Sequence, residues 1–328
     1  RAALVHSVGV AQDRQAFSKV LLLTKLLALL HQLESQGEVL SSLRVADIAV
    51  VLLKAVEGTE VGTEIVWNYT KNYQTPTVIV VNKLDNENAE FDKSFGSAKT
   101  RFGNDVTIIQ FPANEGLAFD SVVDVLKMKM LVYNRDGSGK FTESDIPAEH
   151  KERAEALHEE LIEKIAETEE DLMNKFFEDG TLHDADLQKG LKLALNAQKI
   201  FPVFCTAAGL NIGLGSVLSF LVQFGPSPLD RGPVAAMDIQ KKLQLQVAPD
   251  PAAQPSLFAF KTVSEQHVGE LSFFRVFSGT VTPGLDLTNI SNGKSERLGQ
   301  IFVMNGRERR DVARLVAGDI GAVVKLKD

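Results

Sequence analysis

The residues best suited to chemistry in this chain are Asn82-Lys83-Leu84-Asp85, which directly follow the apolar run Thr77-Val78-Ile79-Val80-Val81. At the carboxyl end of a parallel strand, such an Asn-Lys-x-Asp group stands where doubly wound sheets bind their ligands. The Asp85 carboxylate can accept two hydrogen bonds from the imino and exocyclic amino groups of guanine, a pair that adenine does not supply. Asn82 can either bond the base edge or tie neighbouring loops together, and the aliphatic stem of Lys83 can cover a ring face. A site made of such polar pairs rejects an analogue that leaves them unmatched. The competing reading is a chance match in a polar loop, and the strand pattern immediately before the tetrad speaks against it.

A second candidate follows another apolar run. Cys205-Thr206-Ala207-Ala208 comes after Ile200 to Phe204, and a tight loop of small residues lets the backbone N–H groups of Thr206, Ala207 and Ala208 reach a purine oxygen. Small residues after strands are common, so this loop gains weight only from the tetrad upstream. Near the start, Ala2-Ala3-Leu4-Val5 reads as a short buried strand opening into His6-Ser7-Val8-Gly9-Val10-Ala11-Gln12.

The elements that must position these loops alternate in type. Glu38 to Arg44 predicts a helix, Ile48 to Leu53 a strand, Thr63 to Tyr73 a helix, Thr77 to Val81 a strand, and residues 86 to 102 a polar helix. Val106 to Phe111 predicts one further strand, and residues 17 to 33 are helical or continuously buried. Fully apolar strands alternating with helices define an α/β, doubly wound sheet covered on both faces. Beyond it, Val122 to Tyr133 and long acidic helices to about Asn196 form an α+β insertion. Its main helix carries Leu157, Leu161, Ile165, Leu172 and Phe176 at near-helical spacing. The sheet resumes at Ile200 to Cys205, followed by a helix from Gly213 to Phe224. Gly225-Pro226-Ser227-Pro228 and Gly232-Pro233 mark a linker. Short segments at Leu257 to Phe260, Leu271 to Val276, Leu285 to Leu287, Leu298 to Phe302 and Ile320 to Leu326 then predict a small antiparallel β-barrel.

The 328 residues suffice for two or three domains, and an apolar fraction of 44% with 24% charged residues is ordinary for globular protein. A net charge of -8 excludes a general nucleic-acid coat but not a local RNA-binding patch. Cys205 is the single cysteine, so no internal disulfide forms and a reducing compartment is the default. Val20 to Leu30 is too short to span a bilayer and is broken by Lys25. No cleavage-type signal precedes it, and the expected location is the cytoplasm.

These residues bring a known family into view. Glu38 to Val51, Glu57-Gly58 to Trp67 and Asn82 to Asp85 resemble the GTPase domain of elongation factor G. Gly116 to Tyr133, including Asp124-Val125-Leu126-Lys127-Met128-Lys129, resembles the insertion that family carries. Pro226-Ser227-Pro228-Leu229-Asp230, Val268-Gly269-Glu270-Leu271 to Thr280 and Ala317-Gly318-Asp319 resemble its linker and second, barrel domain. The resemblance covers about residues 38 to 328. It implies a GTPase domain at 1–112 and 198–230, an inserted subdomain at 113–197 and a translation-factor-type barrel at 231–328. It further implies GTP or GDP as ligand with Mg2+, the guanine side being held by Asn82, Lys83, Asp85, Thr206, Ala207 and Ala208. The implied partners are ribosomal RNA and stalk proteins, with the chain monomeric and neither membrane nor DNA involved. The implied activity is GTP hydrolysis coupled to translocation. This chain stops before the family's three further domains and by itself is not expected to translocate.

One side of the site departs from the family. A phosphate-cradling loop ends in Gly-Lys-Ser/Thr, because backbone N–H groups, a lysine and a metal-binding hydroxyl hold the phosphates. His6, Ser7 and Gly9 fit a remnant of that loop, but neither the lysine nor the hydroxyl follows. The switch threonine and the Asp-x-x-Gly-His turn have no counterpart; His31 sits in no such context, and no catalytic residue can be assigned. Either phosphate-side loops are missing or misassigned in this stretch, or the chain is a degenerate, non-hydrolysing relative that docks on the ribosome. A relative that removes a drug or release factor from the ribosome is a third option.

Asn134 to Asp145 imitates a calcium-binding loop, but the twelfth position carries the shorter Asp145, and Pro147 breaks the flanking helix, so a turn between strands is expected. The acidic run Glu152 to Glu170 reads as a solvated helix face; the resemblance implies a second role for it, docking a ribosomal stalk protein. Arg307, Arg309 and Arg310 read as a hairpin tip or as an RNA contact. His183 and His267 read as surface residues, outside any metal-ligand spacing.

Overall fold

The structure is a computed structural model that describes residues 36–238, 243–265, 269–306 and 308–324. The expectations placed on residues 1–35, including His6, Ser7, Gly9 and His31, and on His267, Val268 and Arg307, lie outside the described residues. The described residues divide into two compact units, one spanning Ile48–Pro226 and the other joining residues 36–47 to those from Ser227 onward.

After α1 (Gln36–Leu43), the first unit runs through β1 (Ala49–Lys54), α2 (Val61–Asn72), β2 (Thr77–Asn82), α3 (Phe91–Phe102) and β3 (Val106–Ile108). It continues with β4 (Gln110–Pro112), β5 (Ser121–Asp124), β6 (Lys129–Tyr133), β7 (Phe141–Ser144), α4 (Ala148–Ala166), α5 (Glu170–Asp179) and α6 (Asp184–Asn196). It closes with β8 (Phe201–Cys205) and α7 (Leu214–Phe224). Strands β1, β2, β8 and β3 lie in that order, every pair parallel. All five residues from Thr77 to Val81 are buried, as an interior strand covered by helices requires. Helix α2 turns Val66, Trp67 and Thr70 inward. Trp67 stacks on Phe102 of α3 at 4.3 Å and meets Phe201 of β8 edge-on at 4.6 Å, so one aromatic cluster locks two helices to the sheet.

Two expected elements divide. The run Val106 to Phe111 is not one strand: β3 pairs with β8, whereas β4 starts the antiparallel sheet β4-β5-β6-β7 of the insertion. Ile109 is the crossing point, its amide donating to the Val203 carbonyl and its carbonyl accepting from Val125. The single insertion helix also divides. Helix α4 ends at Ala166, and Leu172 and Phe176 belong to α5, because Thr168 turns its hydroxyl back to the Ile165 carbonyl at 2.6 Å and Glu169 is extended. The calcium-like segment is the turn between the paired strands β6 and β7, closed by the Asn134 amide on the Lys140 carbonyl.

The second unit is an antiparallel β-domain. A short helix, α8 (Pro228–Arg231), opens with a capping box between Ser227 and Asp230. It leads to the isolated hairpin of β9 (Val234–Asp238) and β10 (Leu243–Val247), then to β11 (Ser256–Glu265) and β12 (Gly269–Ser278). Three short strands, β13 (Thr280–Val281), β14 (Asp286–Thr288) and β15 (Ser295–Arg297), precede β16 (Ile301–Asn305), β17 (Glu308–Asp311), β18 (Leu315–Val316) and β19 (Ile320–Val324). The main sheet has the order β11-β12-β19-β16-β17. Leu298 enters the core beside Phe274, Val276, Ile301 and Val323, but it precedes its expected strand, which begins at Ile301. Among the described residues no helix is long and apolar enough to cross a membrane.

Candidate functional site

Because β2 and β8 are neighbours running the same way, their carboxyl ends at Asn82 and Cys205 emerge side by side. The two predicted loops therefore meet. The Asn82 side-chain oxygen accepts from the Ala208 amide at 3.0 Å and from the Thr206 hydroxyl at 3.1 Å. The Thr206 amide donates back to Val81 at 2.9 Å, and Leu84 donates to the Thr206 carbonyl at 3.3 Å. Of the two roles open to Asn82, the structure uses its carbonyl oxygen as the tie between loops. Leu84 is fully buried and anchors the tetrad from beneath.

The flanking residues point the other way. Lys83 is exposed and takes a left-handed φ of 64°, which reverses the chain just after the strand. Asp85 is half-buried, and among the described residues its carboxylate makes no hydrogen bond and no ion pair. A carboxylate held at the end of two parallel strands with open acceptor positions can receive a paired donor edge such as that of guanine.

The second loop closes on itself. Ala207 and Ile212 exchange amide-to-carbonyl bonds of 3.1 Å each way. The return path exists because Gly213 has φ +77° and no side chain: a Cβ there would lie 2.2 Å from the Cys205 carbonyl oxygen. The amides of Thr206, Ala207 and Ala208 are all engaged within the protein, by Val81, Ile212 and Asn82 respectively. The Gly209 amide, on the exposed tip, has no partner among the described residues, so Gly209 joins the candidate donors. Its position directly after Thr206-Ala207-Ala208 was the available sequence signal.

The insertion reaches both loops. The Gly116 amide donates to the Leu84 carbonyl at 2.9 Å, and Glu115 Oε1 accepts from the Phe91 amide at 2.8 Å. The Asn211 side chain donates to the Gly137 carbonyl at 3.2 Å. Burial pushes the Glu115 carboxyl above its usual range, opposed by the Phe91 amide. Burial likewise pushes the Cys205 thiol well up, and the sulfur donates to the Gln110 carbonyl at 3.2 Å. That thiol is an inert core group. Among the described residues no cluster of three or more His, Cys, Asp or Glu side chains could hold a metal ion. His6, Ser7 and Gly9, the expected phosphate side, are outside the described residues.

The fold, a parallel sheet whose strand ends carry the candidate loops, is of the P-loop GTPase type. Residues 35–227 match the family model of the elongation factor Tu GTP binding domain, and residues 254–328 match that of elongation factor G domain 2. The first match alone covers more than half of the chain, which belongs to that GTP-binding family, the translational GTPases. A solved relative has a similar architecture: the crystal structure of ttk003000868 from Thermus thermophilus superposes with a TM-score of 0.74 at 26% sequence identity. That likeness covers 88% of this chain and 40% of the Thermus protein, so this chain spans less than half the length of that relative.

Proposed function

We propose that this chain is the nucleotide-binding part of a ribosome-dependent translational GTPase of the elongation factor G type, with the guanine base read by the loops of β2 and β8. Residues 1–112 and 198–230 form the GTPase domain, 113–197 its inserted subdomain and 231–328 the barrel-type domain. The observation that carries the reading is the division of labour in the tetrad: Asn82 joins the two loops, and the half-buried Asp85 is left with open acceptor positions. Asp85 would receive the imino and amino hydrogens of guanine, Lys83 would lie along the ring, and the Gly209 amide would serve the purine oxygen.

These residues fit a guanine base on the strength of the open carboxylate. Phosphate would fall to His6, Ser7 and Gly9, whereas no ligand is assigned to Mg2+, because the metal-binding hydroxyl does not follow them. When bound, Mg2+ would neutralise phosphate charge. Ribosomal RNA and stalk proteins are the partners that go with this reading, in the cytoplasm.

The test is titration of fluorescent GDP and GTP, with magnesium, against the protein. Binding of both is expected, and Asp85→Asn should shift preference toward xanthine nucleotides, because an amide offers a donor where guanine also offers one. Failure to bind either nucleotide at high micromolar concentration overturns the reading. An unchanged guanine preference in Asp85→Asn removes Asp85 from it.

A second reading, a non-hydrolysing relative that docks on the ribosome, draws on one observation: His6 to Gln12 contains no lysine. Ribosome-stimulated phosphate release from GTP separates the two.

A further inference from the structure

We propose that Glu115 and Gly116, at the root of the insertion, are positioning residues that hold Asp85 at the base pocket by gripping its loop at both ends. The inference rests on the guanine-binding reading above.

The loop between Leu84 and Phe91 is held mainly by short-range bonds of its own: Asn86 to the Lys83 carbonyl at 3.1 Å, Ala89 to the Asn86 carbonyl at 3.0 Å, and the Asn88 amide to Asn86 Oδ1 at 3.0 Å. These bonds shape the loop without fixing it to the sheet. Its fixed points lie at the two ends. At the first, Leu84 accepts the Gly116 amide at 2.9 Å. At the second, α3 begins with Glu90 in the cap position, and that side chain makes no capping bond. The orphan amide of Phe91 is taken instead by Glu115 Oε1 at 2.8 Å, a carboxylate 24 residues away in sequence. A negative group at the first turn also favours the helix dipole. One residue further on, Asp92 is paired with both terminal nitrogens of Arg153 from α4. The start of α3 is thus capped and ion-paired by the insertion, and Glu90 completes the anchorage through its amide to Ala55 at 3.0 Å.

Removing the Glu115 carboxylate leaves the Phe91 amide without its partner and loosens that end of the loop, which then keeps only the Glu90 amide on Ala55 and the Asp92–Arg153 pair. Asp85 then loses the alignment that its two bonds to guanine require. Inosine nucleotides lack the exocyclic amino group and depend on one bond fewer, so discrimination between GDP and IDP reports alignment rather than general stability.

The experiment compares wild type, Glu115→Ala, Glu115→Gln and Glu115→Asp in GDP and IDP binding and in amide hydrogen exchange over residues 85–91. Glu115→Ala should weaken GDP binding about tenfold, narrow the GDP-to-IDP ratio, and speed exchange in the loop even without nucleotide. Glu115→Gln keeps an acceptor oxygen at the same reach and should restore all three. Glu115→Asp, one methylene short, should behave like Ala and serves if Glu115→Ala does not fold. An unchanged GDP-to-IDP ratio in Ala and Asp, or loss without rescue by Gln, overturns the positioning role while leaving the guanine reading intact. A wild-type protein that binds neither nucleotide overturns the guanine reading and this inference with it; normal loop exchange in the variants overturns the grip alone.

Discussion

Gly213 offers a perturbation whose size can be worked from the geometry. Replacing it by alanine places a Cβ 2.2 Å from the Cys205 carbonyl oxygen and 3.2 Å from Thr206 Cγ2. Ordinary contact begins at 3.4 Å, so strand end and helix start must part by about 1.2 Å. Neither neighbour yields freely, since Cys205 ends a fully buried strand and Gly213 opens α7. Holding alanine at a left-handed φ costs ~1 kcal/mol, and forcing backbone apart in a packed region adds ~2 kcal/mol. The total of ~3 kcal/mol is a shift of about a hundredfold in the folding equilibrium. The same strain falls on the Ala207–Ile212 pair that closes the second loop, so nucleotide affinity should fall as well. Trp67 is the single tryptophan and is buried in this unit, which makes urea unfolding followed by its fluorescence a local readout. Gly215, two residues on, is the control: a Cβ there meets nothing within 4 Å. Its replacement by alanine in the first turn of α7 should stabilise by ~0.5 kcal/mol. If Gly213→Ala unfolds within ~0.5 kcal/mol of wild type, or if the two variants shift alike, the argument that this glycine permits the loop is refuted.

Two further predictions concern buried charge. Burial pushes the Asp124 carboxyl up, against the opposing hydrogen bonds from Gln110 and the Lys127 amide. A raised folded-state value means that this group's stabilising contribution is full below its ordinary 3.8 and is lost as pH rises through the folded value. Asp124→Asn should therefore gain stability relative to wild type as pH rises above 3.8, and a difference that stays flat with rising pH would contradict the assignment. In the β-rich unit, Arg275 donates to Asp47 at 2.8 Å and to the Val45 carbonyl, with the two side chains only 7% and 15% exposed. Asp47→Ala strands a buried guanidinium and should cost ~3 kcal/mol, whereas adding Arg275→Met should recover much of it. Amide exchange along β12 measures both, and equal protection in the single and double variants would rule the pairing out as the cause.

How far the sequence could be read depended on where each signal resides. Strands β2 and β8 were legible because burial on both faces writes itself as an unbroken apolar run, and the chemistry at their ends follows from that placement. The split at Ile109 was not legible: the alternation of Val106 to Phe111 changes phase at Ile108-Ile109, but all six residues are buried, and only pairing with Val203 and Val125 tells which sheet each half joins. The break between α4 and α5 was hidden because apolar spacing carries on past Ala166, while the amide and hydroxyl of Thr168 both close on the Ile165 carbonyl and Glu169 turns extended. Asn82 had two open roles until Thr206, 124 positions away, was placed beside it. The grip on the tetrad loop lies deepest of all. Its one local trace is a negative one, a helix starting after Glu90 with none of the residues that cap well. An uncapped start that directly follows a candidate binding loop implies that another segment supplies the cap. Here that segment is the insertion, whose Glu115 takes the Phe91 amide and so ties the start of α3 to it.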